Sequence, residues 1–226
     1  MASKRYNALT SQTTEEILPL ADAVRLVKGF ASAKFDESFD VCYILGIDPK
    51  KSDQNIKASC QLPNGLGKTV RVAVFAVGDA ATAAEKAGAD RVGFEDLADD
   101  MKKGNIDYDV VIASQESMPL VGKLGQILGP KGLMPNLKLG TVTTNPAEAV
   151  KLAKAGQFKV KNDKTGSVHG SVGKASFSEA HIEENITALT QEIRRLKPAA
   201  AKGIYLKALW LSLTMSPAVR VDVSKV

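Results

Sequence analysis

Little in this chain supports covalent or metal chemistry. Its 226 residues include two cysteines, Cys42 and Cys60, and two histidines, His169 and His181. Glu15 and Glu16 precede the apolar pair Ile17-Leu18 and Pro19 breaks it, so no secretory h-region forms. The cysteines therefore read as reduced core residues in a reducing compartment rather than as a disulfide framework. Neither histidine has a cysteine at ligand spacing, and no metal or other cofactor is expected. No apolar run approaches the ~20 residues of a membrane span. Aromatics are scarce, and the single tryptophan, Trp210, reads as core rather than as a base-stacking platform.

Phosphate-loop chemistry is missing as well. "GLGKT" (65–69) ends like a phosphate loop, but Leu62 stands where the pattern needs its first glycine, and a strand follows instead of a helix. "GQILGPKG" has three residues between Gly125 and Gly129, and Pro130 lacks a backbone donor. No Ser/His/Asp set is evident, and the pairs Asp99-Asp100 and Glu183-Glu184 fall on helical stretches as solvated faces. No catalytic residue is assigned. The competing class, a nucleotide- or phosphometabolite-binding α/β enzyme, rests on the Rossmann-like middle of the chain alone.

What the chain does have is unevenly placed charge. The formal net charge is +5. Between Gly78 and Glu116 ten acids face four bases, whereas from Lys123 to Lys207 fourteen bases face six acids. The charge permits an anionic partner without requiring one, and a nucleic acid would meet the second stretch or the basic arm Met1–Arg5. The second stretch contains a ribbon, "LGQILGPKGLMPNLKLGTVT" (124–143), with four glycines, two prolines, two lysines and no carboxylate.

Periodicity gives the organisation. "TVRVAVFAVG" (69–78) reads as a strand covered on both faces, followed by helices over "AATAAEKAGA" and "EDLADDMKKG", a strand over 108–114 and a helix over 116–128. Asn145 and Pro146 open a further helix. This alternation predicts a small parallel α/β domain. At the ends, 39–47 and 55–62 read as strands joined by "DPKKSDQ", and 157–163 and 167–173 as a hairpin about "KTG". A long amphipathic helix starts at Ser178, carries Ile182, Ile186, Leu189, Ile193 and Leu196, and stops before Pro198. Two closing strands follow. The simplest architecture is an α+β domain built from both chain ends with the α/β unit inserted through two glycine-containing crossings.

Taken together, the motifs resemble one family. The ribbon closely resembles the signature of the bacterial-type L-one family of ribosomal proteins, found in the mobile stalk of the large subunit. "AKFDES" (33–38), "GIDPKKSDQN" (46–55), "LPNGLGKTVRVAVFA" (62–76), "FKVKNDKTGSVHGSVGKASF" (158–177) and "LTMSP" (213–217) follow in the family's order. The resemblance covers nearly the whole chain. It implies a split α+β domain, ferredoxin- or RRM-like, from residues 1–67 plus 158–226. Inserted into it is a three-layer Rossmann-like α/β domain, 68–157, on a hinge at Gly65, Gly67 and Gly156. It also implies no enzyme, but a structural constituent of the large ribosomal subunit, in the cytoplasm rather than a plastid stroma. Such a protein binds the ribosomal RNA stalk beside the exit site, assists release of deacylated tRNA, and represses translation of its own operon mRNA. It is a monomer when free and has no membrane partner.

Carried over residue by residue, the resemblance makes Lys34, Phe35, Glu37, Ser38, Thr214, Met215, Ser216 and Pro217 RNA contacts, with Lys164 and His169 as secondary ones. Lys34 is expected on phosphate, Phe35 against ribose or base, and Ser38 and Thr214 on 2′-hydroxyls. Glu37 is expected to accept from a ribose hydroxyl or to hold a base. Gly129, Pro130, Lys131, Gly132 and Pro135 belong to the family's characteristic loop, expected to be ordered, with its lysines facing RNA or the first domain. Three positions depart from the family. Ser216 replaces a common glycine, Ala208 a contact serine and Leu137 a common proline, the last loosening the loop. Each hydrogen bond lost is expected to cost about 1 kcal/mol, which weakens binding without abolishing it.

Overall fold

A computed structural model describes residues 4–13 and 16–225. Met1, Ala2 and Ser3 of the basic arm, and Glu15, lie outside the described residues. The chain opens with helices α1 (Lys4–Thr10) and α2 (Leu20–Gly29) and strands β1 (Ser38–Leu45) and β2 (Lys57–Gln61). Next come β3 (Val72–Phe75), α3 (Asp79–Lys86), β4 (Arg91–Gly93), α4 (Glu95–Lys102) and β5 (Val110–Ser114). Then follow α5 (Met118–Lys123), α6 (Gly125–Leu128), β6 (Val142–Thr143) and α7 (Pro146–Lys154). It closes with β7 (Gln157–Lys161), β8 (Ser167–Lys174), α8 (Glu179–Arg195), β9 (Leu206–Leu213) and β10 (Val219–Val221). The chain divides into two units, 1–67 with 158–226, and 68–157.

The first unit is an antiparallel sheet in the order β10-β9-β1-β8, with helices on one face. Along β1, Phe39, Val41, Tyr43 and Leu45 are buried while Asp40, Cys42 and Ile44 are half-buried, the period of two that a one-sided sheet imposes. Ile182, Ile186, Leu189 and Ile193 of α8 recur at helical spacing and are fully buried on the core side. Ser178 caps that helix, its Oγ accepting from the His181 N–H at 3.2 Å. Beside it α2 buries Ala23, Val24 and Val27, a helix the sequence reading did not assign.

Two expected pairings are corrected. β1 and β2 do not pair with each other, since β2 joins β7 in a separate two-stranded sheet. Nor do β7 and β8 form a full hairpin, because apart from the single bridge Asn162–Val168 they diverge into different sheets. The cause is burial together with one side chain. Ile56, Cys60, Leu62, Phe158 and Val160 all enter the same core as β1, and the Asn162 amide accepts from the Ile56 N–H (2.7 Å) and donates to Asn55 Oδ1 (3.0 Å). Trp210 and Cys42 are also corrected. Both are half-buried on the face of the sheet opposite the helices, cross-strand neighbours of each other.

The second unit is the expected three-layer α/β arrangement. Its parallel sheet runs β4-β3-β5-β6. Val72, Val74, Val110 and Ile112 face Ala84 of α3 and Val150 and Ala153 of α7. Ala73, Phe75, Val111 and Ala113 face Leu97, Met101, Val121, Leu124 and Leu128 of the opposite layer. The continuous helix expected over 116–128 is broken between α5 and α6, where Gly122 and Gly125 flank a fully buried Leu124. Asn145 occupies the N-cap position of α7 without a side-chain capping bond, and Pro146 begins the helix.

Candidate nucleic-acid interface

At one end of the first unit's sheet, the start of β1 and the end of β9 lie side by side. The Ser38 N–H donates to Thr214 Oγ1 (3.0 Å), and the Thr214 N–H to the Ser38 carbonyl (3.2 Å). Loops 32–38 and 214–217 are therefore held together. Glu37 locks them. Its carboxylate accepts from the N–H groups of Ser32 (3.2 Å) and Ala33 (3.1 Å) through Oε1 and from Met215 (2.9 Å) through Oε2. Asp36 accepts from the N–H and hydroxyl of Ser176, and Lys174 Nζ donates to Ser38 Oγ (3.1 Å) and the Asp36 carbonyl (3.4 Å). Outward stand Lys34, Thr214, Phe35 at 55% exposure and Met215 at 46%.

Three expectations change here. Glu37 is 2% exposed with both oxygens taken by backbone donors, so it shapes the loops from inside instead of presenting an acceptor to a ribose. Pro217 is buried and serves the turn rather than a surface contact. The Ser216 hydroxyl folds back on its own turn, accepting from the Leu213 N–H (2.9 Å) and donating to the Pro217 carbonyl (3.0 Å). The expected obstruction is thus a turn-closing bond.

Lys164 and His169 are not brought to these loops. Lys164 is exposed in the turn between β7 and β8, beyond the other end of β1, roughly 25 Å along the strand at about 3.3 Å per residue. His169 lies between, exposed on β8 opposite Cys42. Asp163 builds the turn. Its carboxylate accepts from Thr165 Oγ1 (2.7 Å) and from the N–H groups of Ser167 and Thr165 (both 2.8 Å), with His169 Nε2 at 3.4 Å. Those bonds, Thr165 first, hold its pKa well below the usual carboxylate range. A lowered folded value means that their stabilisation is complete above the ordinary aspartate pKa near ~4 and is lost as pH falls through the depressed value. The turn is accordingly expected to stay closed through pH 4. Asp163→Ala should speed amide exchange at Thr165 and Ser167 at neutral pH, with unchanged exchange counting against the carboxylate's role.

Between the two ends the helix-free face carries Asp40, Ser171, Ser212, Cys42 and Trp210, and the Arg220 guanidinium lies 6.0 Å from the indole centroid. Ala208 is in this face too, cross-strand from Ile44. Sequence reasoning reads Trp210 as core and does not single out Arg220. Strict alternation with Leu209 and Leu211 was the signal that would have put Trp210 on the open face.

In the second unit the ribbon begins as core, with Leu124 and Leu128 fully buried. Gly129 ends α6 where any Cβ would come within 2.6 Å of the Gly125 carbonyl oxygen, so no larger residue fits. Pro130, Lys131 and Gly132 form an exposed turn, Pro135 is buried, and Lys138 is exposed. Asn136 orders the remainder, its Oδ1 accepting from the Lys138 N–H (2.8 Å) and its N–H donating to Thr141 Oγ1 (2.8 Å). Leu137, 69% exposed, thus sits in a tied turn rather than a loosened loop. At the carboxyl ends of β3 and β5, where such folds take ligands, Asp79 and Glu116 are exposed, and Ser117 is buried with its Oγ donating to the Phe75 carbonyl (2.7 Å). Asp79 occupies the first turn of α3 and repels a phosphate from that helix terminus.

Residues 27–217 match the model of the Ribosomal protein L1p/L10e family. The chain belongs to that family. It is 57% identical to "Large ribosomal subunit protein uL1" of Laribacter hongkongensis over 97% of this chain and 95% of that one. It is also 57% identical to the protein of that name from Neisseria meningitidis serogroup C, over 99% and 97%. The protein of that name from Francisella tularensis is 52% identical over 98% and 96%. Proteins of the L1 family are ribosomal proteins and not enzymes, which sets aside the α/β enzyme.

Proposed function

We propose that the chain is a structural protein of the large ribosomal subunit, working in the cytoplasm within the ribosome, and that its split unit holds the stalk of the large-subunit RNA. One observation carries the reading. In loops 32–38 and 214–217 both carboxylates, Asp36 and Glu37, are engaged by protein donors, while Lys34, Phe35, Thr214 and Met215 face outward. That surface offers one cation for phosphate, apolar groups for ribose or base, and, in the lone pair that Thr214 Oγ1 keeps beside the Ser38 N–H bond, an acceptor for a 2′-OH. The helix-free face with Trp210 and His169 continues it along the sheet.

The same surface serves a stalk-like structure in the protein's own operon mRNA, so that unassembled protein represses its synthesis. Lys164, with Lys50 and Lys51 of the neighbouring turn after β1, is a second cationic group for deacylated tRNA leaving the exit site. Lys131 and Lys138 of the ribbon take part through their charge. Gly65, Gly67 and Gly156, all at positive φ beside the two crossings, form a hinge that lets the stalk protein follow the departing tRNA.

Phe35→Ala tests this. Base–aromatic stacking is worth about 1–3 kcal/mol, so affinity for a stalk RNA fragment should fall about tenfold or more, with the melting temperature unchanged because the ring is exposed. Full affinity in the variant would remove Phe35 from the interface.

A further inference from the structure

Helix α1 delivers a cation to the paired loops. The Arg5 guanidinium donates from Nη1 to Ser32 Oγ (3.2 Å) and from Nη2 to the Met215 carbonyl (3.3 Å). Ser32 opens the first loop and Met215 belongs to the second, so one side chain bridges both. Its two acceptors are neutral. Among the described residues, no carboxylate forms an ion pair with Arg5. The Glu37 oxygens behind these loops are occupied by the Ser32, Ala33 and Met215 N–H groups.

The chemistry follows from that arrangement. A guanidinium has five N–H donors, and two bonds leave three for another acceptor. Resting on a hydroxyl and a carbonyl, it keeps its whole charge. Its planar fork matches a pair of phosphate oxygens, and because the protein already fixes its position, less entropy is lost on binding than at a free lysine such as Lys34. We propose that Arg5 is a phosphate-binding residue of the RNA interface, making α1 a third segment of the site beside loops 32–38 and 214–217. This rests on the function proposed above.

An arginine that merely tied Ser32 to Met215 would also matter for binding, so the test separates donated charge from loop shape. Affinity for a stalk RNA fragment is measured across a salt series for the wild type, Arg5→Gln, Arg5→Lys and Lys34→Gln, with thermal unfolding of each. No residue of α1 is buried, so the fold should persist in both Arg5 variants. For Arg5→Gln the expected result is binding about tenfold weaker at physiological salt and a slope of log K against log salt shallower by about one. Arg5→Lys should restore the slope but only part of the affinity. Weaker binding with the wild-type slope would make Arg5 a loop tie and overturn the proposal, as would unchanged binding. A slope lost in Lys34→Gln but kept in Arg5→Gln refutes the Arg5 assignment and leaves the interface standing. Equal wild-type binding to stalk and scrambled RNA refutes the interface itself.

Discussion

Replacing Glu37 with alanine should lower the stability of the first unit by about 3 kcal/mol and weaken stalk RNA binding by more than about a hundredfold. The magnitude follows from the bonds removed: a hydrogen bond to a charged group is worth roughly 1.5–3 kcal/mol, and three partly buried backbone N–H groups lose one together while water meets them only in part. Two of these belong to loop 32–38 and the third to Met215, so the variant also frees the loops from each other. Glu37→Gln is the graded control. Its amide oxygen can still serve one loop, but its NH2 group must face an N–H of the other, and the loss should fall between wild type and alanine. Urea unfolding with an unchanged m-value, together with RNA titration, reads both effects. Wild-type affinity in a destabilised Glu37→Ala would mean that loop geometry does not set recognition.

Asn185→Leu should destabilise by a similar amount, about 3 kcal/mol, yet leave RNA affinity unchanged. The amide is fully buried in α8, donating to the carbonyls of Gly65 (3.0 Å) and Val172 (2.8 Å) and accepting from the Asn64 N–H (3.0 Å). Leucine nearly matches the volume but satisfies none of the three. Its hydrogen-bond partners, Asn64, Gly65 and Val172, all lie outside loops 32–38 and 214–217, so binding measured well below the unfolding transition should match wild type. The pair therefore separates stability from recognition, since the same cost at two sites reaches RNA at only one. A large affinity loss in Asn185→Leu would spread the recognition surface into the core side of the sheet.

Elements fixed by local chemistry were legible in the sequence. The Ser178 cap, the apolar spacing from Ile182 to Ile193 and the apolar run at Val72–Phe75 each specify an element without reference to the rest of the chain. Partner choice was not legible. β2 looks like a mate for β1, but the shared core and the Asn162 amide, more than a hundred residues on, draw it to β7. β4 and β6, with three and two residues, are too short for any period to mark.

The candidate site divides the same way. "AKFDES" and "LTMSP" name the two loops, but the direction of Glu37 depends on a Met215 N–H that lies 178 positions away. Ser216 likewise reads as an obstruction by comparison with glycine, whereas its hydroxyl closes its own turn. Charge alone makes the basic arm Met1–Arg5 a candidate footprint, but nothing local singles out Arg5, whose partners Ser32 and Met215 lie 27 and 210 positions away.

The most direct test of stalk recognition is the binding of the full chain to a stalk ribosomal RNA fragment against a scrambled duplex of equal length, across a salt series. The expected result is a preference for the stalk that survives physiological salt, because shape and 2′-hydroxyl contacts do not depend on counterion release. Equal binding to both RNAs, collapsing steeply as salt rises, would contradict it and reduce the paired loops to a basic surface.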